Sequence, residues 1–254
     1  MRFRALLAVS VLGAASGARA QEDAGAAPVR WCAEELTMLD SSACYFSPEG
    51  DDRAKETLVI FLHGVIKDGT TWQWAQQRSI ARAAKKNGFS VLMPRGRQGI
   101  GPKGMRDWWT WPTSVKAENA LGTELRAEWK ADREQIEKDA GHGFSKIFVI
   151  GFSNGAYYAT SLALLGKTKD VDGFAVFAGG AGAKYLVGPA QGVPHRPPIY
   201  VGYGLRDKAH HDPEGLAKAL KRLGWRHRVG VSKHGGHSMP DSKLADAIRF
   251  LRGG

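Results

Sequence analysis

The sequence has 254 residues, of which 43% are hydrophobic and 24% charged, and its formal net charge is +11. This length and composition exclude a disordered or fibrous chain and fit a single α/β domain with a substantial core. The Lys and Arg residues are spread along the chain without a long basic run, so we expect a solvated surface and no specific nucleic-acid partner.

Residues 1–20 have the pattern of a signal peptide. Arg2 and Arg4 form a charged start, residues 5–13 are apolar, and residues 18–20 form a small-x-small cleavage site. The apolar stretch is too short to span a bilayer, and no later segment is long and apolar enough to do so. Because Gln21 rather than Cys follows the cut, we expect an exported protein, periplasmic or secreted, without a lipid anchor.

The chain contains two cysteines, Cys32 and Cys44, both near the mature N-terminus. In an oxidising compartment a lone pair of cysteines is most simply a disulfide, although two unrelated buried thiols are the alternative. We therefore predict an N-terminal segment, residues 21–50, that carries this bond and begins with a disordered stretch, residues 21–29. A single larger domain is predicted over residues 51–254.

Strand and helix patterns alternate through that domain. Apolar runs predict strands at 43–46, 58–62, 89–93, 148–150, 174–177, 199–203 and 228–232. Helices are predicted at about 71–86, 116–139 and 156–165, from Asp212 onwards, and at about 240–251, with a long Gly- and Trp-rich loop at 94–114. This alternation predicts a mostly parallel, doubly wound sheet of about seven or eight strands, covered by helices on both faces.

The most informative motif is Gly-Phe-Ser-Asn-Gly at residues 151–155, which lies between an apolar strand and a small-residue helix. A nucleophile elbow needs this order, because the serine must sit on a sharp strand-to-helix turn with its hydroxyl above the sheet. The motif therefore predicts Ser153 as a nucleophile. An ordinary tight turn that happens to contain serine is the alternative.

A serine nucleophile needs a histidine base and an acid that orients the histidine. Asp207 and His237 follow Ser153 in that order, each in a loop after a predicted strand, and we predict that they complete a catalytic triad. Of the competing residues, Asp212 reads as a helix cap and Asp241 as a first-turn acid. His234 is the alternative base, but it lies close to its strand.

A metal centre is the competing interpretation of the same region. Its ligands would be His210, His211, Asp212, His234 and His237. The set lacks a recognised ligand spacing and leaves the serine motif unexplained, so we predict neither a metal nor a cofactor.

Acyl transfer also needs hydrogen-bond donors for the oxyanion. The backbone N–H of Asn154, directly after the nucleophile, is one predicted donor. The N–H of Val65, which follows the sequence Leu-His-Gly at a strand end, is the other. His63 is interpreted as a structural side chain that holds this loop, rather than as a base.

Five tryptophans cluster in what the sequence predicts to be two loops at the same edge of the sheet. Three of them, Trp72, Trp108 and Trp109, are the predicted wall of a substrate pocket, whereas Trp74 and Trp111 are further candidates. The alternative for each is that it packs its loop onto the sheet.

These motifs together resemble the α/β-hydrolase serine esterases, and more closely the phospholipase/carboxylesterase group that includes acyl-protein-thioesterase-like and dienelactone-hydrolase-like enzymes. The resemblance rests on Leu-His-Gly at 62–64, the serine motif at 151–155, the Asp after a strand and Gly-Gly-His-Ser at 235–238, and it covers about residues 57–252. It implies an α/β-hydrolase fold and ester hydrolysis through an acyl-enzyme. The signal peptide and the cysteine pair depart from a cytosolic thioesterase.

Several alternatives remain open at the level of sequence. The same triad cleaves amides, so a peptidase is one of them; a catalytically silent binding protein and a basic envelope or nucleic-acid binder are the others. For the esterase we expect a small-molecule or polymeric ester as substrate, no membrane span, and a monomer or weak dimer.

Overall fold

The computed structural model describes residues 29–180 and 183–254, without the side chains of residues 183–185. The predicted signal peptide and almost all of the predicted disordered stretch lie outside these residues. Within them, no helix is both long enough and apolar enough to cross a membrane.

Ten strands in the described residues form one large sheet and one small sheet. Their bounds are β1 Thr37–Met38, β2 Cys44–Phe46, β3 Thr57–Leu62, β4 Ile66–Lys67, β5 Ser90–Met93, β6 Trp108–Trp109, β7 Lys146–Phe152, β8 Gly173–Phe177, β9 Ile199–Gly204 and β10 His227–Ser232. The large sheet has the order β1-β2-β5-β3-β7-β8-β9-β10. Its first two pairings are antiparallel and all others are parallel, which confirms the predicted doubly wound sheet.

The helices follow the predicted alternation. Their bounds are α1 Asp52–Glu56, α2 Trp72–Asn87, α3 Val115–Ala117, α4 Thr123–Ala140, α5 Asn154–Leu164, α6 Ala183–Gln191, α7 His211–Arg222 and α8 Asp241–Leu251. Glycines with a left-handed backbone end two of them, Gly88 (φ 67°) after α2 and Gly141 (φ 69°) after α4. A π-helical segment, Glu118–Gly122, interrupts the single helix predicted at 116–139.

The central strands are buried because helices cover both faces of the sheet. All six residues of β3 are buried, as its unbroken apolar sequence predicts for a doubly covered parallel strand. On one face the core includes Leu125 of α4, Leu162 of α5 and Leu216 of α7. On the other it includes Ile80 of α2 and Ile248 of α8.

The N-terminal segment packs on the face covered by α2 and α8, where the predicted disulfide is present. Cys32 and Cys44 are bonded, with 5.5 Å between their Cα atoms, and both are fully buried. The side chain of Gln77 in α2 accepts a hydrogen bond from the Ala33 N–H and donates one to the Trp31 carbonyl. Hydrogen bonds to α2 thus hold the segment to the domain that follows it.

The small sheet corrects the prediction of one long loop at 94–114. Strand β4 pairs antiparallel with β6, in a register that places Ile66 opposite Trp109 and Lys67 opposite Trp108. Trp72 and Trp74 also lie in the first turn of α2 rather than in a loop. The sequence missed this pairing because each strand is only two residues long and its partner is about 40 residues away.

Candidate active site

The turn between β7 and α5 has the geometry of a nucleophile elbow. Ser153 has φ 51° and ψ −118°, a strained backbone for a residue with a side chain. A Cβ on Gly151 would come within 2.4 Å of the Gly155 carbonyl oxygen, and a Cβ on Gly155 within 2.1 Å of the Leu62 oxygen. Only glycine fits at these two positions, which explains the spacing of the motif.

Ser153, His237 and Asp207 are joined by a continuous chain of hydrogen bonds. The Ser153 Oγ lies 2.9 Å from His237 Nε2, and His237 Nδ1 lies 2.7 Å from Asp207 Oδ2. Because the carboxylate accepts, Nδ1 carries the proton and Nε2 faces the hydroxyl with its lone pair. The Asp207 side chain is only 5% exposed, and its other oxygen accepts from the Ala209 N–H.

The competing residues lie elsewhere. His234 is exposed, and its Nδ1 is 3.5 Å from Arg206 rather than bonded to Asp207. Asp241 begins α8, as expected for a first-turn acid.

The prediction that Asp212 caps a helix is wrong. Helix α7 begins at His211, one residue before Asp212, and His210 occupies the cap position without a side-chain hydrogen bond. The reason is the preceding turn, in which the His210 N–H donates to the Asp207 carbonyl and the chain continues directly into the helix. Asp212 instead accepts a hydrogen bond from the Tyr157 hydroxyl at 2.6 Å. This contact and the burial of the ring raise the pKa of Tyr157.

The two predicted oxyanion donors belong to Asn154, directly after Ser153, and to Val65 in the loop that follows β3. Among the described residues, neither the Val65 N–H nor the Asn154 N–H has a hydrogen-bond acceptor. The N–H of Gly64, the residue directly before Val65, is occupied, because it donates to Gln76 Oε1 at 2.8 Å. A Cβ on Gly64 would lie 3.2 Å from the Ser153 Cβ, which places this loop against Ser153.

His63 fixes the loop at residues 63–65, here called the oxyanion loop because it carries a predicted oxyanion donor. Its Nε2 accepts from the Gly96 N–H at 3.0 Å, so its Nδ1 carries the proton and donates to the Gly64 carbonyl. Burial lowers the pKa of His63 to about 4, so the ring is neutral at neutral pH and its contacts are structural.

The contacts of Gln76 and Trp111 that hold this site were not predicted. Gln76 fixes the Gly64 N–H, and the backbone N–H of Trp111 donates to Asn154 Oδ1 at 2.7 Å. The Trp111 indole donates to the His63 carbonyl as well. Neither contact has a local sequence signal, because the partners are 12 and more than 40 residues apart.

The tryptophans divide into core and surface residues. Trp111 is fully buried and stacks on Tyr158, so it is part of the core. Trp108 and Trp109 are partly buried, and the Trp109 indole donates to Asp68 while the Arg95 guanidinium lies 4.3 Å from its ring centroid. Trp72 is 50% exposed and meets Trp108 edge-on, with 5.6 Å between ring centroids.

The residues of the alternative metal centre do not gather in one place. His210, His211 and Glu214 have potential ligand atoms within 4.8 Å of one another. His237 instead contacts Ser153 and Asp207, and Glu214 is bound by Lys218 at 2.8 Å.

Residues 46–253 match the Phospholipase/Carboxylesterase family, which is most of the chain. No curated protein has a sequence that matches this chain.

The fold is also found in solved structures of low sequence identity. The chain is similar to a carboxylesterase from Mesorhizobium loti (21% identity, 87% of this chain and 100% of that chain covered, TM-score 0.58). It is similar to the Bacillus cereus carboxylesterase (16%, 86% and 94%, TM-score 0.54). It is also similar to acyl-protein thioesterase 2 of Zea mays (17% identity, 83% of this chain and 97% of that chain covered, TM-score 0.57). The chain therefore belongs to the phospholipase/carboxylesterase family of α/β-hydrolases and is a carboxylic ester hydrolase.

Proposed function

We propose that this esterase works through a covalent acyl-enzyme on Ser153, with His237 as general base and Asp207 as the acid that orients it. The supporting observation is the unbroken contact from Ser153 Oγ through His237 to Asp207, at 2.9 and 2.7 Å. In the first step Ser153 Oγ attacks the ester carbonyl carbon and His237 Nε2 takes the hydroxyl proton. The buried carboxylate of Asp207 stabilises the imidazolium that forms.

The tetrahedral intermediate carries a negative oxygen that needs donors. The N–H groups of Val65 and Asn154, which have no acceptor among the described residues, are the groups that would bind it, since the Gly64 N–H directly before Val65 is held by Gln76. Collapse of the intermediate breaks the bond to the alcohol, which takes the proton from His237. A water, deprotonated by His237, then attacks the acyl-enzyme and releases the acid and the serine hydroxyl. This sequence uses no cofactor or metal.

We further propose that Trp72, Trp108 and Trp109 form an aromatic wall beside the site. The small sheet supports this assignment, because β4 starts directly after Val65 and pairs with the strand that carries Trp108 and Trp109. The partial exposure of Trp72 leaves apolar area for a substrate group.

Export to the periplasm or the medium is also part of the proposal. It is supported by the signal-peptide pattern of residues 1–20 and by the disulfide between Cys32 and Cys44, since such bonds persist in oxidising compartments.

Replacement of the nucleophile tests the mechanism. Ser153→Ala should lower the turnover of nitrophenyl acetate by several orders of magnitude and leave the melting temperature near that of wild type. Ser161→Ala is the matched control, because Ser161 lies on the same helix and its hydroxyl donates to the Tyr157 carbonyl, its one partner among the described residues. More than about a tenth of wild-type turnover in Ser153→Ala would overturn the proposal.

A further inference from the structure

A cleft of about 170 Å³ lies between helix α2 and the loop that carries His237. Most of its lining is apolar, and its one neutral amide and one hydroxyl come from α2. Its lining residues are Phe61, Ala75, Gln76, Ser79, Phe152 and Met239. An apolar cavity of about 150 Å³ accommodates benzene, so the cleft has room for a phenyl ring or a butyl chain.

The cleft borders the base side of the proposed triad. Phe152 directly precedes Ser153, and its ring centroid is 5.2 Å from that of His237. Met239 follows His237 by two residues, on the same loop. Gln76 is the side chain that holds the Gly64 N–H. Phe152 and Met239 therefore connect the cleft to His237, which does not itself line it.

The position of the base determines which half of an ester lies near it. When the tetrahedral intermediate collapses, the alcohol oxygen takes its proton from His237 Nε2, so the alcohol must be within hydrogen-bond reach of that atom. The acyl group stays on Ser153 at this step. Resting on the mechanism proposed above, we propose that this cleft binds the apolar alcohol group of the substrate and selects for alcohols of about the size of butanol or benzyl alcohol.

If the cleft binds the alcohol group, kcat/KM should depend on the size of the alcohol independently of the length of the acyl chain. Wild-type enzyme should show a higher kcat/KM for butyl and benzyl acetate than for methyl acetate. Apolar contact of this size commonly changes kcat/KM by one to two orders of magnitude.

Ala75 offers a site at which the cleft can be filled. It is an exposed residue of α2 whose methyl group lines the cleft. In Ala75→Phe the ratio of kcat/KM for benzyl acetate to that for methyl acetate should fall about tenfold. Ala131→Phe is the matched control, since Ala131 is an exposed alanine in helix α4, away from the cleft, and its ratio should stay within about twofold of wild type.

A second variant enlarges the cleft instead of filling it. Met239→Ala should shift the preference from benzyl acetate towards naphthylmethyl acetate, and this change of selectivity does not depend on whether Ala75→Phe folds.

The experiment compares these ratios with those for methyl acetate against methyl hexanoate, which vary only the acyl chain. The assignment of the alcohol group would be overturned if Ala75→Phe lowered kcat/KM equally for methyl and benzyl acetate. It would also be overturned if the change in kcat/KM depended on the acyl chain. Failure of the serine mechanism is a different result, because it would appear as retained turnover in Ser153→Ala.

Discussion

The backbone at Ser153 is held in a conformation that costs roughly 1–3 kcal/mol for a residue with a side chain. Local contacts keep it there: the Ser153 N–H donates to the Phe177 carbonyl, and the Gly155 N–H donates to the His63 carbonyl. This backbone conformation directs the Ser153 hydroxyl towards His237 rather than into the sheet. Such strain is expected at a functional site, where surrounding structure over-determines the backbone.

Individual residues were predictable when their chemistry is tied to a motif. Ser153, Asp207 and His237 stand at strand ends in an order that places them on one edge of the sheet, and the structure brings them into contact. Gln76 was not predictable, because nothing in its helix distinguishes a glutamine that holds a loop from one that faces water. The cap residue of α7 was not predictable either, since Asp-Pro-Glu at 212–214 is typical of a helix start whichever of the neighbouring residues is the cap.

Asp207 and Asp212 should respond differently to substitution by asparagine. Asp207→Asn should lower kcat by about four orders of magnitude, because an amide cannot hold the Nδ1–H tautomer or stabilise the imidazolium. Asp212→Asn should leave kcat within a few fold of wild type, since its contact is to the Tyr157 hydroxyl. Parallel ester kinetics and melting curves measure both effects. Loss of activity in Asp212→Asn together with retention in Asp207→Asn would show that the acid is misassigned.

At the scale of elements, the oxyanion loop is supported by three other parts of the chain. Helix α2 holds it through Gln76, the segment after β5 through Gly96, and the segment after β6 through Trp111. The strands and helices with long, periodic patterns were predicted, and the short elements were not. Helix α6 was missed because Gly188 and Pro189 interrupt its pattern, and β4 and β6 because two residues carry no periodicity.

The buried His63 makes this support dependent on pH. The pKa of His63 is about 4 in the folded protein, whereas an ordinary histidine, as in the unfolded chain, has a pKa of 6.5. Between these two pH values the unfolded chain therefore binds more protons than the folded protein. The stability from keeping His63 neutral is therefore complete above pH 6.5 and is lost as the pH falls towards 4. Over that window the wild-type free energy of unfolding should fall by about 3 kcal/mol more than that of His63→Gln.

Urea unfolding of both proteins between pH 7 and pH 4 measures this difference. Since the carboxylates titrate in both proteins, their effect cancels in the comparison, and the difference between wild type and His63→Gln reports His63 alone. Parallel pH profiles for wild type and His63→Gln would contradict the assignment of a buried neutral histidine.

At the scale of the whole molecule, the N-terminal segment packs against the domain on the face of the sheet that α2 and α8 cover. It reaches the sheet through β2, which pairs with β5, and it reaches α2 through Gln77. Trp31 also packs edge-on against His63, with 5.3 Å between ring centroids. The segment, the oxyanion loop and α2 thus share one contact region.

The disulfide should stabilise this arrangement by restricting the unfolded chain. Its loop spans 12 residues in sequence separation, for which chain entropy gives roughly 3 kcal/mol. The double variant Cys32→Ser, Cys44→Ser should lose free energy of unfolding of about this size, as should wild type after reduction. Urea unfolding with and without a reductant measures the loss. Two alkylatable thiols in non-reduced, exported protein would contradict a disulfide.

The most direct test of the central claim is the mass of the intact protein after reaction with a fluorophosphonate, which labels only an activated serine. Wild type and Ser161→Ala should gain one phosphonyl group, located by peptide mapping on Ser153, and should lose ester turnover in proportion to labelling. Ser153→Ala should remain unlabelled, and Asp207→Asn should react far more slowly than wild type. Labelling of Ser153→Ala, or full ester turnover by phosphonylated wild type, would contradict the account.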